Sequence, residues 1–332
     1  MLRSSITAGT VALIALVGWL VVPVGKVDAH ATAIAADAGP LVVTDSRGRE
    51  HRFDALPTRF AACSSFALET LMALGVEPVV RFESDPVYPA EAASIPIVGR
   101  THSTGPDVEM LIATQPDVIL LHDVFAEFAD NVQQQVGVPV VLHDIDSVAD
   151  VREFVAMFGA LTGKVRAAEA LLGRLDATVA WIQDQPAPDQ PVRALSLLGT
   201  NNAWFAHRGN SFMGDVMATM GLENIAADAD AHGTYRSLAP VDLEQIIAQD
   251  PDVIFIVPYA AADPAMIEAF RANPAFASLR AAREDRVFLL DNPMYQANAG
   301  PRSDQALREL YGLLFPDREQ PPAELARTES AR

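Results

Sequence analysis

The chain has 332 residues, half of them apolar and a fifth charged, a composition that fits a folded protein with one large core or two medium ones. A formal net charge of −19, with lysine only at Lys26 and Lys164, argues against a nucleic-acid partner, because nothing would neutralise the phosphates. The lone cysteine, Cys63, rules out an intrachain disulfide framework, a thiolate zinc cluster and a cysteine-held iron–sulfur centre, and is expected in the core.

In chain order, Arg3, the mostly apolar run 11–24 and the small-x-small triplet Ala29-His30-Ala31 have the layout of a cleaved signal peptide over 1–31. The apolar run is shorter than the ~20 residues that a membrane span needs, and no cysteine follows it to carry a lipid. The mature chain is therefore expected to be free, in a periplasm. Beyond it the spacing predicts a strand at 59–62, a helix at 66–74, a strand at 79–81, a helix near 125–135 and a strand at 138–142. The Ala- and Leu-rich stretch 164–183, stopped by Pro186 and Pro188, predicts one unbroken helix about 30 Å long at ~1.5 Å per residue. A strand at 192–198, a helix at 212–220 capped by Ser211, and a strand at 287–290 follow.

The strongest signal is an internal repeat. Residues 107–121, DVEMLIATQPDVILL, align without gaps on residues 242–256, DLEQIIAQDPDVIFI, with eight of fifteen positions identical. In each copy the apolar residues (Val108, Leu111, Ile112; Leu243, Ile246, Ile247) fall on one helical face, Pro116 or Pro251 stops the helix, and a buried parallel strand follows. The pattern predicts an α/β fold of two similar βα lobes with parallel sheets joined by one long helix. The expected boundaries are 40–163 and 186–318 for the lobes, 164–185 for the connection, and 319–332 for a tail.

Several segments in this order resemble the helical-backbone (class III) periplasmic substrate-binding proteins of ABC importers for cobalamin, haem and ferric siderophores. They are PTRFAACSSFALETLMALGVEPVV (57–80), IPIVGR (95–100), the repeat, the 164–183 helix, NSFMGDVMATMGLENIA (210–226), SLAPVDLEQIIAQDPDVIFIV (237–257) and LLDNPMYQANAGPRSDQALRELYGLLFP (289–316). The resemblance implies a monomer that captures a small-molecule iron chelate or corrinoid, a ferric siderophore first, and delivers it to a permease dimer with a cytoplasmic ATPase. It also implies that one glutamate per lobe, Glu109 and Glu244, docks in arginine-rich permease pockets. A local role, complementing the positive N-terminus of each helix, fits the same positions.

Ligands of open α/β lobes sit beyond the carboxyl ends of the strands. The loops expected there hold Tyr88, Arg100 and His102 in the first lobe, and Trp204, Phe205, Arg208, Tyr235, Arg236 and Tyr295 in the second. An aromatic wall with a few cations suits a large anionic ligand. By the resemblance, Arg100 occupies a place where siderophore binders carry arginine and haem binders often carry a tyrosine ligand, while His102 or Tyr235 offers an axial ligand if the cargo is haem. A bare-metal site would draw on His122, Asp123, His143 and Asp144. No resident cofactor and no enzyme activity are expected, since no GxSxG, HExxH or phosphate-loop pattern occurs. A sensor or scaffold on the same fold is the reading from outside transport.

Overall fold

The computed structural model describes residues 39–84, 87–100, 105–199, 204–233, 235–259, 265–295 and 300–322. A short hairpin, β1 (Leu41–Thr44) with β2 (Glu50–Phe53), comes first; sequence reading gave it no element. Then follow β3 (Phe60–Cys63), α1 (Ser65–Ala73), β4 (Val80–Glu83), β5 (Ile97–Arg100), α2 (Val108–Thr114), β6 (Val118–His122), α3 (Ala126–Val136) and β7 (Val140–His143). These strands form an all-parallel sheet in the order β5-β4-β3-β6-β7. Two helices, α4 (Val148–Leu161) and α5 (Val165–Gln183), lead to the second sheet.

The second lobe runs β8 (Arg193–Gly199), β9 (Trp204–His207), α6 (Phe212–Thr219), the two-residue β10 (Glu223–Asn224), β11 (Leu238–Pro240), α7 (Leu243–Gln249) and β12 (Val253–Pro258). It continues through α8 (Ala265–Ala272), α9 (Pro274–Ala277), α10 (Arg280–Arg283), β13 (Val287–Leu289), α11 (Asn292–Tyr295) and α12 (Ser303–Leu314). Its sheet, β11-β9-β8-β12-β13 with β10 on β8, departs from the expected all-parallel form. β9 runs antiparallel to both β8 and β11. The chain returns from β8 through four residues, too short for the crossover that a parallel pairing needs.

Side-chain alternation along the strands separates three cores. In β3, Phe60 and Ala62 face one cluster while Ala61 and Cys63 face another; in β12, Val253, Phe255 and Val257 are divided from Ile254 and Ile256 in the same way. Two clusters are private to one sheet each, under α2 and α3 or under α7 to α10. The third is shared by the facing sides of both sheets and filled by Phe66, Phe158, Leu175, Met213 and Tyr311 from α1, α4, α5, α6 and α12. Cys63 is buried there on the first lobe's private side, where burial pushes its thiol pKa up.

Both copies of the repeat take the same form. Each helix has seven residues; the Asp107 carboxylate accepts from the Met110 amide, and Asp242 accepts from Glu244 and Gln245. Each ends on a left-handed residue that is not glycine, Gln115 at φ 48° and Asp250 at φ 42°. Leu111 and Ile246 are buried, but Ile112 and Ile247, expected on the same buried face, are exposed. Among the described residues no helix is long and apolar enough to cross a membrane.

Candidate ligand-binding site

The carboxyl ends of β3, β4, β6 and β7 carry Ser64, Glu83, His122 and His143. Ser64 caps α1, its hydroxyl accepting from the Ala67 amide at 2.9 Å, and it lies 2.7 Å from His143 Nε2. His143 is wholly buried among Phe66, Phe154 and Phe158, and burial holds its pKa well below the usual histidine range. It is a neutral core residue. Asp123 is held by Ser46 and Arg47 in the β1–β2 turn; burial raises its carboxyl, but those partners outweigh it and bring it below the ordinary value. Of the set His122, Asp123, His143 and Asp144, His143 is thus sealed in the core and Asp123 is committed to the hairpin, while the His122 ring lies 5.8 Å from that of His143 and accepts from the Val124 amide. Among the described residues no group of three or more His, Cys, Asp or Glu side chains is placed to hold a metal ion.

The lobes meet at Glu69 and Arg302. Arg302, just before α12, donates to both carboxylate oxygens of Glu69 on α1 at 2.8 and 3.0 Å, with the two side chains 11% and 4% exposed. Burial pushes the Glu69 carboxyl up to about 7, against the pull of Arg302. Gly300, at φ 48°, lets this segment approach α1: a Cβ there would lie 3.1 Å from the Phe66 ring. The outer face of the Arg302 guanidinium stacks on Tyr88, 3.8 Å from the ring centroid, and Tyr88 is exposed. Burial raises the carboxyl of Asp291, two residues past β13, and the Arg302 charge pulls it down, so the carboxyl end of the second sheet lies near this contact. A second link is the Val148 amide of α4 donating to Asp215 of α6 at 2.8 Å.

The aromatic face expected on the second lobe is present in part. Phe205 and His232 lie with ring centroids 4.7 Å apart, and His232 and Tyr235 are nearly coplanar in orientation at 6.4 Å. Tyr259, which follows β12, lies near enough for Tyr235 to raise its pKa further after burial has done so. Sequence reading missed Tyr259; its place one residue past a core strand was the signal available.

Four expected site residues have other tasks. Trp204 is in β9, not a loop, and packs edge-on against Phe270 and Phe276 at 5.9 and 6.3 Å, so it helps to close the second lobe's private core. Arg208 donates to the carbonyls of Ala229 and Arg236 and to Asn210, leaving it as a loop staple. Tyr295 is buried and its hydroxyl donates to the Ala306 carbonyl at 3.0 Å. His143 is the fourth, as above. Arg236 is exposed. Arg100 ends β5, paired with Glu83 of β4, but its side chain and all of His102 lie outside the described residues. Glu109 and Glu244 are both exposed on α2 and α7.

A family model described as "Periplasmic binding protein" matches residues 61–294, well over half of the chain. The chain belongs to that family. It is 26% identical over 252 residues to a cobalamin-binding protein of Halobacterium salinarum, covering 74% of this chain and 67% of that one. The haem complex of IsdE from S. aureus superposes with a TM-score of 0.64 at 19% identity, over 78% of this chain and 99% of that one. An ABC-type Fe3+-hydroxamate transport protein of Saccharomonospora viridis does so with 0.66 at 23% identity, over 83% and 99%. The fold is thus the two-lobed one of these proteins.

Proposed function

We propose that this periplasmic binding protein is the substrate-binding component of an ABC importer and carries an intact ferric siderophore between its lobes. The observation that supports it most is the distribution of aromatic groups at the surface, all of them exposed except the half-buried Phe205. Tyr88 stacks over Arg302 at the lobe junction, and Phe205, His232, Tyr235 and Tyr259 cluster on the second lobe. Such faces bind a flat, partly aromatic chelate by stacking, while Arg100 and Arg236 supply charge for an anionic one. A second reading, haem, is favoured by one feature: His232 and Tyr235 are exposed side by side and either offers an axial ligand. In this proposal the segment 1–31 directs export, the lobes span 40–163 and 186–318, Glu109 and Glu244 meet the two permease subunits, and the chain works as a monomer without catalysis.

The test is titration of the purified mature chain with a panel of ferric catecholate and hydroxamate siderophores, haem and cobalamin. After cleavage two tryptophans remain, and Trp181 is packed against Tyr311 at 5.2 Å, so quenching reports chiefly on Trp204. A ferric siderophore should bind most tightly, and Tyr88→Ala and Tyr235→Ala should each weaken it about tenfold, the effect of ~1.4 kcal/mol of lost stacking. Tightest binding of haem, with a Soret band that shifts toward that of free haem in Tyr235→Ala or His232→Ala, would select the second reading.

A further inference from the structure

We infer that each lobe grips the importer with a paired patch, the exposed isoleucines Ile112 and Ile247 entering apolar depressions beside the basic groups that meet Glu109 and Glu244. This rests on the docking reading above and adds a contact to it. The observation is the fate of the eight identical positions of the repeat. Five have structural work that any lobe of this kind would require. Asp107 and Asp242 cap α2 and α7. Pro116 and Pro251 are buried, and Asp117 and Asp252 accept from the backbone amides of Arg59 and Arg193. Val118 with Val253, and Ile119 with Ile254, are fully buried strand residues.

The remaining three identities are Glu109/Glu244, Ile112/Ile247 and Ala113/Ala248, and all six residues are exposed. Helix-end electrostatics accounts for the glutamates alone. Ile112 is 52% exposed and Ile247 45%, large aliphatic side chains left in water twice at the same place. Helix stability does not explain them, because glutamine, lysine or glutamate serves an exposed helical position better than isoleucine. Single exposed apolar residues are ordinary on a protein surface; the same one beside the same charge in both lobes is a pattern. Residues three apart share a helix face, so carboxylate and sec-butyl group lie together, and the small alanine next to them leaves room for close approach.

The occupant is a partner with two equivalent faces, each presenting a cation flanked by an apolar hollow. Charge selects it over the other occupants. A chain with net charge −19 repels a second copy of itself and an anionic lipid surface, whereas a basic partner is attracted. In such a contact the glutamates govern encounter and the buried isoleucines govern residence.

The test measures association of the full mature chain with its importer, purified and held in nanodiscs, at several salt concentrations. For Ile112→Ser/Ile247→Ser the dissociation rate should rise and affinity should fall on the order of tenfold or more, with the salt dependence of the on-rate unchanged. Ile112→Val/Ile247→Val should recover most of the affinity. For Glu109→Gln/Glu244→Gln the on-rate should fall and its salt dependence flatten. Unfolding midpoints should hold in all of them, since the substituted groups are exposed. Affinity of the serine variant within about twofold of wild type, while the glutamine variant loses binding, overturns the isoleucine contact and leaves the docking reading intact. Two unaffected double variants overturn both. Sedimentation of wild type as a dimer that the serine variant dissolves would assign the patch to a second copy and overturn the inference.

Discussion

The two sheets share a plan on one side and part on the other. β3, β6 and β7 correspond to β8, β12 and β13, each a parallel triplet with the repeat helix before its middle strand. Next to the triplet the first lobe adds β4 and β5 in parallel, whereas the second adds β9, antiparallel to β8, and then β11, antiparallel to β9 and so aligned again with the triplet. Parallel strands send every carboxyl end to one edge; an antiparallel strand enters at that edge and leaves it. The register Gly199 to Trp204, Leu198 to Phe205 and Leu197 to Ala206 therefore puts Trp204 at the carboxyl edge of the triplet and takes each later residue of β9 farther from it. His207 ends up buried against Ser196, and Arg208 beyond it staples backbone carbonyls. A cluster that looks uniform in sequence, Trp204 to Arg208, is split by strand direction into an edge half and a scaffold half.

The largest effect is expected where the lobes meet. Glu69→Ala leaves Arg302 nearly buried and unpaired, so it should cost about 3 kcal/mol or more of unfolding free energy in denaturant titration. Arg302→Ala should cost less, because Glu69, already raised to about 7 by burial, escapes its unpaired charge by taking a proton. The pH dependence follows with a definite sign. The folded carboxyl lies above the ordinary 4.5, so the native chain holds a proton there that the unfolded chain has released. Stability from this group is fully present below about 4.5 and is lost as pH rises through about 7. In Glu69→Gln the slope should shrink to what Asp146, raised by burial to about 6, contributes over the same range; a slope equal to wild type would mean that Glu69 contributes none of it.

A smaller pair of effects tests the split within β9. Trp204→Ala should lower stability by about 2 kcal/mol, less than the ~3 to 5 of a fully enclosed aromatic because Trp204 is only partly buried, and should also weaken ligand binding. Arg208→Ala should lower stability by about 1 to 2 kcal/mol through its unpaired carbonyl partners and leave ligand affinity as it was. Loss of affinity in Arg208→Ala without loss of stability would return that arginine to the ligand surface.

The same contrast explains what could be read from the chain beforehand. The repeat, its caps, the core strands and the helix Val165–Gln183 rest on local periodicity and stop signals, and these were legible to within a residue or two. Strand direction is not local. Whether 204–207 continues as a loop or folds back on β8 depends on pairing partners outside the window, so Trp204 and Arg208 received one role when they have two. Tyr295 misled for a related reason: its polar neighbours suggest a loop, but α12 covers it. The exposure of Ile112 reflects how shallowly a seven-residue helix sits on its sheet, with Leu111 the one residue of α2 that is buried.

The smallest effect separates the two copies of the repeat at one matched position. Gln115 and Asp250 both end their helices in the left-handed region, at φ 48° and 42°, a conformation that costs a side-chain-bearing residue about 1 kcal/mol relative to glycine. Gln115→Gly should relieve that strain; after the greater freedom of glycine in the unfolded chain is subtracted, a gain of about 0.5 kcal/mol is expected. Asp250 occupies the same backbone state but its carboxylate also accepts from the Arg280 amide at 2.7 Å and lies 3.6 Å from the Arg280 guanidinium. Glycine there removes the strain and the tie to α10 together, and the tie is worth about as much as the strain. Asp250→Gly should thus be neutral or mildly destabilising, while Asp250→Asn, which keeps the acceptor and tolerates the left-handed region, should fall near wild type. Equal stabilisation by glycine at both positions would mean that the Arg280 contact contributes nothing and that the two helix ends are interchangeable in energy as well as in shape.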